Sequence, residues 1–130
     1  MQQQNQNKEF ILDYFNALSG KEKSKDVIDK YMTDESLMAH IDFFESAFPC
    51  YEIIPREMYA EDNHVIVIAN FKGVHKGELN GIPATFKEAN IPFAIRYTIE
   101  NNKITSHWIL ADQMMLMEQL GVIPAAEAVH

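Results

Sequence analysis

The sequence predicts an α+β domain in which three N-terminal helices pack on one face of an antiparallel sheet. Three observations carry this prediction. Apolar residues recur at helical spacing as far as Phe48, the period changes to two after Pro49 and persists through four segments, and a short methionine-rich helical pattern follows Ala111. A chain of 130 residues suits a single domain, and 47% hydrophobic with 23% charged residues is a globular composition.

The elements follow in order. Residues 1–7 are a Gln/Asn-rich lead with nothing to bury, expected to be disordered; the domain is predicted over 8–124, with 125–130 as a C-terminal tail. Phe10, Ile11, Tyr14, Phe15 and Leu18 form one helical face that ends at Ser19-Gly20. Val27, Ile28, Tyr31 and Met32 mark a shorter second helix. Thr33 is the expected N-cap of the third, with Asp34 and Glu35 in its first turn, where negative charge complements the helix dipole. Leu37, Met38, Ile41, Phe44, Ala47 and Phe48 give that helix a wide apolar face until Pro49 stops it, and His40 falls within the same stripe.

Tyr51 to Ala60 reads as a strand broken or bulged by Pro55, and Glu61-Asp62-Asn63 turns into the strongest strand, which starts at His64. There Val65, Val67, Ala69 and Phe71 share one face. Ile66 and Ile68 make the opposite face apolar too, which predicts cover on both sides. The glycines and proline of 77–90 indicate a connection, after which Ile91, Phe93, Ile95, Tyr97 and Ile99 alternate with smaller or polar residues. Asn101-Asn102 suits a tight hairpin turn, because asparagine tolerates positive φ.

The last strand carries the most pointed chemistry. Strict alternation from Ile104 puts Ser106, Trp108, Leu110 and Asp112 on one face, with Thr105, His107, Ile109 and Ala111 on the other. With the first face inward, Asp112 is a carboxylate beside an indole in apolar surroundings, a candidate general acid/base. Alternatively, Asp112 caps the helix that begins just after it. A short curved sheet around helices leaves a mouth suited to a small molecule.

Composition excludes several partners. Nineteen acidic against eleven basic residues give a net charge of −8 with no local basic patch, so neither nucleic acid nor an anionic membrane is an expected partner. No apolar run approaches the ~20 residues of a membrane span. The opening residues lack the features of a signal peptide and Cys50 has no second cysteine to pair with, so a cytoplasmic location is expected. The five histidines show no ligand spacing and there is no nucleotide motif, so no metal and no cofactor are predicted.

Ala47-Phe48-Pro49, 73-GVHKGELNGIPAT-85, 103-KITSHW-108 with Asp112, and 119-QLGVIP-124 together resemble the SnoaL-like polyketide cyclase family of predicted ester cyclases, within the nuclear transport factor 2-like superfamily. The resemblance covers roughly residues 8–124 and implies a conical barrel, its curved antiparallel sheet wrapped on the three helices around a deep hydrophobic pocket. It also implies a cofactor-independent cyclase or isomerase in which the aspartate of a W-x-x-x-D motif, here Asp112 after Trp108, is the acid/base in an intramolecular aldol closure. His75 matches the histidine of the family's G-T-H-x-G-E segment, and the substrate would be a small apolar carbonyl compound. The implied pocket draws on Trp108, His40, Phe44, Phe71, Tyr97 and Met115. Phe86 stands where the family has a turn glycine, and the second helix runs almost directly into the third at Met32-Thr33. A non-catalytic ligand-binding domain that forms a homodimer through its sheet face is the alternative expectation.

Overall fold

The structure is a computed structural model that describes residues 2–123. It contains α1 (Gln2–Leu18), α2 (Lys25–Tyr31), α3 (Glu35–Ala47), β1 (Glu52–Glu61), β2 (His64–Val74), β3 (Glu88–Glu100), β4 (Lys103–Ala111) and α4 (Gln113–Gln119). The four strands form one antiparallel sheet in the order β1-β2-β3-β4. The α+β class is therefore as predicted, and the helices cover the concave side of a curved sheet: α1 packs on β1 and β2, α2 on β4, and α4 on β3.

The apolar periodicities explain the core. Ile11, Tyr14, Phe15 and Leu18 of α1, Leu37 and Ile41 of α3, and the inward series Val65, Val67, Ala69 of β2 are all at most 3% exposed. β3 adds Ile91, Phe93, Ile95, Tyr97 and Ile99 on the face predicted for them. Burial of this kind is the dominant favourable term in folding, at about 25 cal/mol per Å² of apolar surface. The turn between β3 and β4 has Asn101 and Asn102 at φ 52° and 60°, the backbone that a two-residue type I′ hairpin requires. Pro55 does produce a bulge: the β1/β2 register shifts between Pro55 and Glu57.

Four expectations need correction. First, α1 starts at Gln2, so the Gln/Asn lead is helical rather than disordered. Glutamine has good helix propensity, Gln4 and Asn7 are half-buried, and Asn7 Nδ2 donates to the Asp62 carbonyl at 3.3 Å. The expected 125–130 tail lies outside the described residues. Second, Asp34 and not Thr33 caps α3: its Oδ1 accepts the Leu37 N–H at 3.0 Å, while Thr33 donates its own N–H to the Ile104 carbonyl at 2.9 Å. Third, β2 is covered on one side only, since Ile66 is 44% exposed on the outer face.

The fourth correction reorders β4. The β3/β4 register pairs Thr98 with Ser106 but Ile99 with Ile104, leaving Thr105 as an extra residue. A bulge of this kind reverses the side-chain parity beyond it. Ile104 is fully buried, and after the bulge His107, Ile109 and Ala111 turn inward while Trp108 and Leu110 point out, 55% and 63% exposed. Trp108 is therefore an outer-face residue and not part of the pocket. Strict alternation fails here because the sequence carries no sign of the insertion.

The short α2–α3 link is stitched to the same strand. Met32 forms a parallel bridge to Ile104, and Lys103 Nζ donates to the Asp29 and Lys30 carbonyls at 2.7 and 3.0 Å, closing the C-terminal end of α2. At the other connection, Phe86 takes φ 59° with its ring 71% exposed, a left-handed conformation that disfavours a bulky side chain and suits the glycine usual there in the family it resembles.

Candidate functional site

A cavity of about 110 Å³ lies between the concave sheet face and the helices. A single water needs roughly 10–15 Å³ on a comparable measure, so there is room for several waters or for a small ring system. Its wall is built from the inward face of every strand and from three helices. Leu37, His40, Ile41 and Phe44 come from α3, Tyr14 from α1, and Gln113 and Leu116 from α4; the sheet supplies Ile53, Phe71, Ile91, Phe93, Ile95, Tyr97, Ile109 and Ala111, with Tyr51 just before β1. Gln113 is exposed and stands at the mouth.

Aromatic contacts set the shape of the wall. Phe71 meets Phe44 edge-on with ring centroids 5.8 Å apart and lies 4.8 Å from Tyr51, while Tyr14 meets Tyr97 edge-on at 5.9 Å. Burial pushes the hydroxyls of Tyr14, Tyr51 and Tyr97 well above the ordinary tyrosine range. They therefore stay protonated; Tyr14 and Tyr97 hydrogen-bond each other, which leaves one hydroxyl proton of that pair and that of Tyr51 to donate to a ligand oxygen.

His40 is the one imidazole in the wall. It packs on Phe44 at 4.7 Å between ring centroids, and among the described residues its ring nitrogens meet no hydrogen-bond partner. Its pKa is lowered, chiefly by burial and secondly by the nearby His107. An imidazole so placed is neutral and free to accept a proton from a bound molecule.

Of the other residues singled out from the sequence, Phe44, Phe71 and Tyr97 lie in the cavity wall. Met115 is half-buried and packs against the core outside the lining. Asp112 lies between the lining residues Ala111 and Gln113 but is not itself in the wall. Its Oδ1 accepts the Met115 N–H at 2.9 Å as the N-cap of α4. The capping alternative describes its position.

His75 is fully buried away from the cavity, packed on Phe48 with ring centroids 5.3 Å apart. Its Nδ1 accepts the Thr85 N–H at 3.1 Å, which places the ring proton on Nε2, and the Thr85 hydroxyl lies 3.0 Å from the same nitrogen. The His75 backbone also pairs with Lys87 and Phe86. Its visible work is to pin the 75–87 connection.

Alternation hid the most polar contact near the cavity. His107 Nδ1 lies 2.7 Å from Asp34 Oδ2, with the two side chains 11% and 8% exposed. Only knowledge of the Thr105 bulge would have turned His107 inward. Among the described residues, no three His, Cys, Asp or Glu side chains gather as a metal site would require, and no helix is long and apolar enough to cross a membrane.

Comparison with known proteins agrees with this architecture. The chain superposes on a Jannaschia sp. CCS1 protein assigned as a SnoaL-like polyketide cyclase, with a TM-score of 0.80 at 20% identity over 93% of this chain and 95% of that one. AclR of Streptomyces galilaeus, assigned as a hydroxylase, gives 0.82 at 17% identity over 97% and 87%. IdmH of Streptomyces antibioticus, assigned as a polyketide cyclase, gives 0.75 at 15% identity over 89% and 99%. At these identities the likeness establishes the fold, the nuclear transport factor 2-like cone. No curated protein sequence matches the chain significantly. The sequence profile described as SnoaL-like polyketide cyclase matches residues 15–120, and the chain belongs to that family.

Proposed function

We propose that the chain binds a small, largely apolar carbonyl compound in this cavity and moves a proton on it, as a cyclase or isomerase that draws on its own side chains. One observation carries the reading. An otherwise apolar, aromatic wall contains a neutral, unpartnered imidazole, His40, together with protonated tyrosine hydroxyls. A base next to donors for a developing oxyanion is the arrangement that lowers the barrier to removing a proton beside a carbonyl. Hydrogen–deuterium exchange at the activated carbon of small apolar 1,3-diketones, followed by NMR in heavy water, tests it without knowledge of the natural substrate. The protein should accelerate exchange, and His40→Gln should lose about 10²- to 10⁴-fold of that acceleration. Binding without any acceleration of exchange refutes the catalytic reading.

A second reading has its own support. The aspartate that the family uses as acid/base is committed here to capping α4, which favours ligand binding without turnover. The exchange assay separates the two. In either reading the outer sheet face supports a homodimer: the register aligns Tyr59, Ile66, Arg96 and Trp108 in one row and places Ile68, Ala94 and Leu110 beside them. Tyr59, Ile66, Trp108 and Leu110 are exposed there around a half-buried Arg96, and clustered exposed apolar side chains of this kind mark protein interfaces.

A further inference from the structure

A carboxylate and a second imidazole adjoin the cavity where α3 begins. The α2–α3 link is held to β4 through Thr33 and Ile104, and the Thr105 bulge turns His107 towards that link. Asp34 is then occupied at both oxygens: Oδ1 caps α3 through the Leu37 N–H at 3.0 Å, and Oδ2 meets His107 Nδ1 at 2.7 Å. The His107 ring lies 6.4 Å from the His40 ring, centroid to centroid. The cap alone would need one oxygen; the second orients a ring that faces the cavity's imidazole.

We propose that Asp34 and His107 are positioning residues for His40: the carboxylate fixes the His107 ring with Nδ1–H towards it, and the ring so held keeps His40 as the cavity's proton acceptor. This rests on the proton-transfer reading given above. In the step itself a proton leaves the carbon beside the substrate carbonyl for a His40 ring nitrogen, giving an imidazolium and an enolate. The imidazolium then returns a proton to the product carbon, and because its N–H exchanges with water the returned proton is solvent-derived in heavy water; no co-reactant is consumed. His107 serves by its fixed orientation beside His40 and does not touch the substrate.

The geometry agrees with the electrostatics. Burial is the first cause of the lowered His40 pKa and His107 is the second. The other titratable side chains that share the cavity are Tyr14 on α1, Tyr97 on β3 and Tyr51 before β1, all held protonated by burial. Asp34, which meets His107 Nδ1 at 2.7 Å, is the other titratable group packed beside the two rings.

Imidazole ¹⁵N NMR on the full chain tests the proposal without a substrate. In the unaltered protein His107 should show the Nδ1–H form, and the His40 midpoint should lie below the ordinary value of 6.5. In His107→Gln the His40 midpoint should rise while remaining below that value, because burial persists, and the acidic limb of the exchange profile should move up with it. An unchanged His40 midpoint overturns the proposal. Asp34→Asn gives a second readout that keeps the helix cap, since Asn caps as well as Asp. Its single carbonyl oxygen stays on Leu37 and its amide is presented to His107, so the His107 proton should move to Nε2; an Nδ1–H form that persists also overturns the proposal. Failure of His40→Gln to slow exchange removes the chemistry and leaves the coupling measured by NMR, so the two ideas fail separately.

Discussion

Asp112 separates a structural from a chemical account of the sequence's most suggestive stretch, and the two differ in measurable size. Its Oδ1 takes the Met115 N–H at 2.9 Å at the start of α4, which buries Leu116 and Leu120 to 1% exposure. The helix end is clamped separately by Gln119, which exchanges two hydrogen bonds with the Asn90 backbone at 2.7 and 3.0 Å, so removing the cap should loosen the first turn without undocking the helix. Loss of an Asp cap costs about 1 kcal/mol, so Asp112→Ala should lower the unfolding free energy by about that much, or roughly 4 °C in Tm for a domain of this size. Asp112→Asn should cost only a few tenths of a kcal/mol, because the amide oxygen caps equally well. A general acid/base would behave in the opposite way: Asn would leave stability intact yet remove about 10²- to 10⁴-fold in rate, or roughly 3–5 kcal/mol of transition-state stabilisation. Urea unfolding of the three proteins, alongside the diketone exchange assay, reads both quantities. Equal destabilisation by Ala and Asn refutes the cap, and an Asn variant of normal stability that has lost a hundredfold in exchange restores Asp112 to the chemistry.

Two further outcomes follow from contacts away from the cavity's base. Lys23 is buried with Nζ on the Lys21 and Tyr51 carbonyls, both at 2.9 Å, on Glu45 Oε1 at 3.0 Å and over the Tyr51 ring at 4.0 Å. Lys23→Met should therefore cost about 3 kcal/mol in urea unfolding by stranding these acceptors, and a cost below about 1 kcal/mol would show that the knot is dispensable. On the outer face, Trp108→Glu combined with Leu110→Lys should convert a dimer to a monomer in sedimentation velocity while the cavity residues keep their NMR shifts. A parent protein that already sediments as a monomer removes the dimer proposal.

The fold was legible where a single period ran unbroken. β2 and β3 each alternate without interruption from Val65 to Phe71 and from Ile91 to Ile99, and both buried the face that alternation named. The bulge in β1 was legible because Pro55 announces it, and the β3–β4 turn because two asparagines do. The N-terminal lead was misread because its composition resembles low complexity, whereas its propensity is helical and α1 has core contacts further along to anchor it. Phe44, Phe71, Tyr97 and His40 lie in the cavity wall, each on a face that its apolar stripe turns inward. Tyr14 and Tyr51 went unremarked as cavity residues, since an apolar stripe does not reveal which of its members meet empty space.

The Thr105 bulge accounts for what the sequence concealed about the site. Threonine is an ordinary strand residue, so nothing local marks it as the extra one. With perfect alternation, Ile104 and His107 would face opposite sides of the sheet; with one residue inserted, both face in. Ile104 can then seal the core under the Met32 bridge while His107, three residues on, reaches Asp34. The same insertion carries Trp108 to the outer face, and Asp112, four residues further, reaches the strand end where it starts a helix. A W-x-x-x-D spacing is thus preserved in this chain while its two residues serve a surface and a cap. The polar groups beside the cavity come instead from the opening of α3 and the middle of β4, elements more than sixty residues apart that the bulge and the short α2–α3 link bring together.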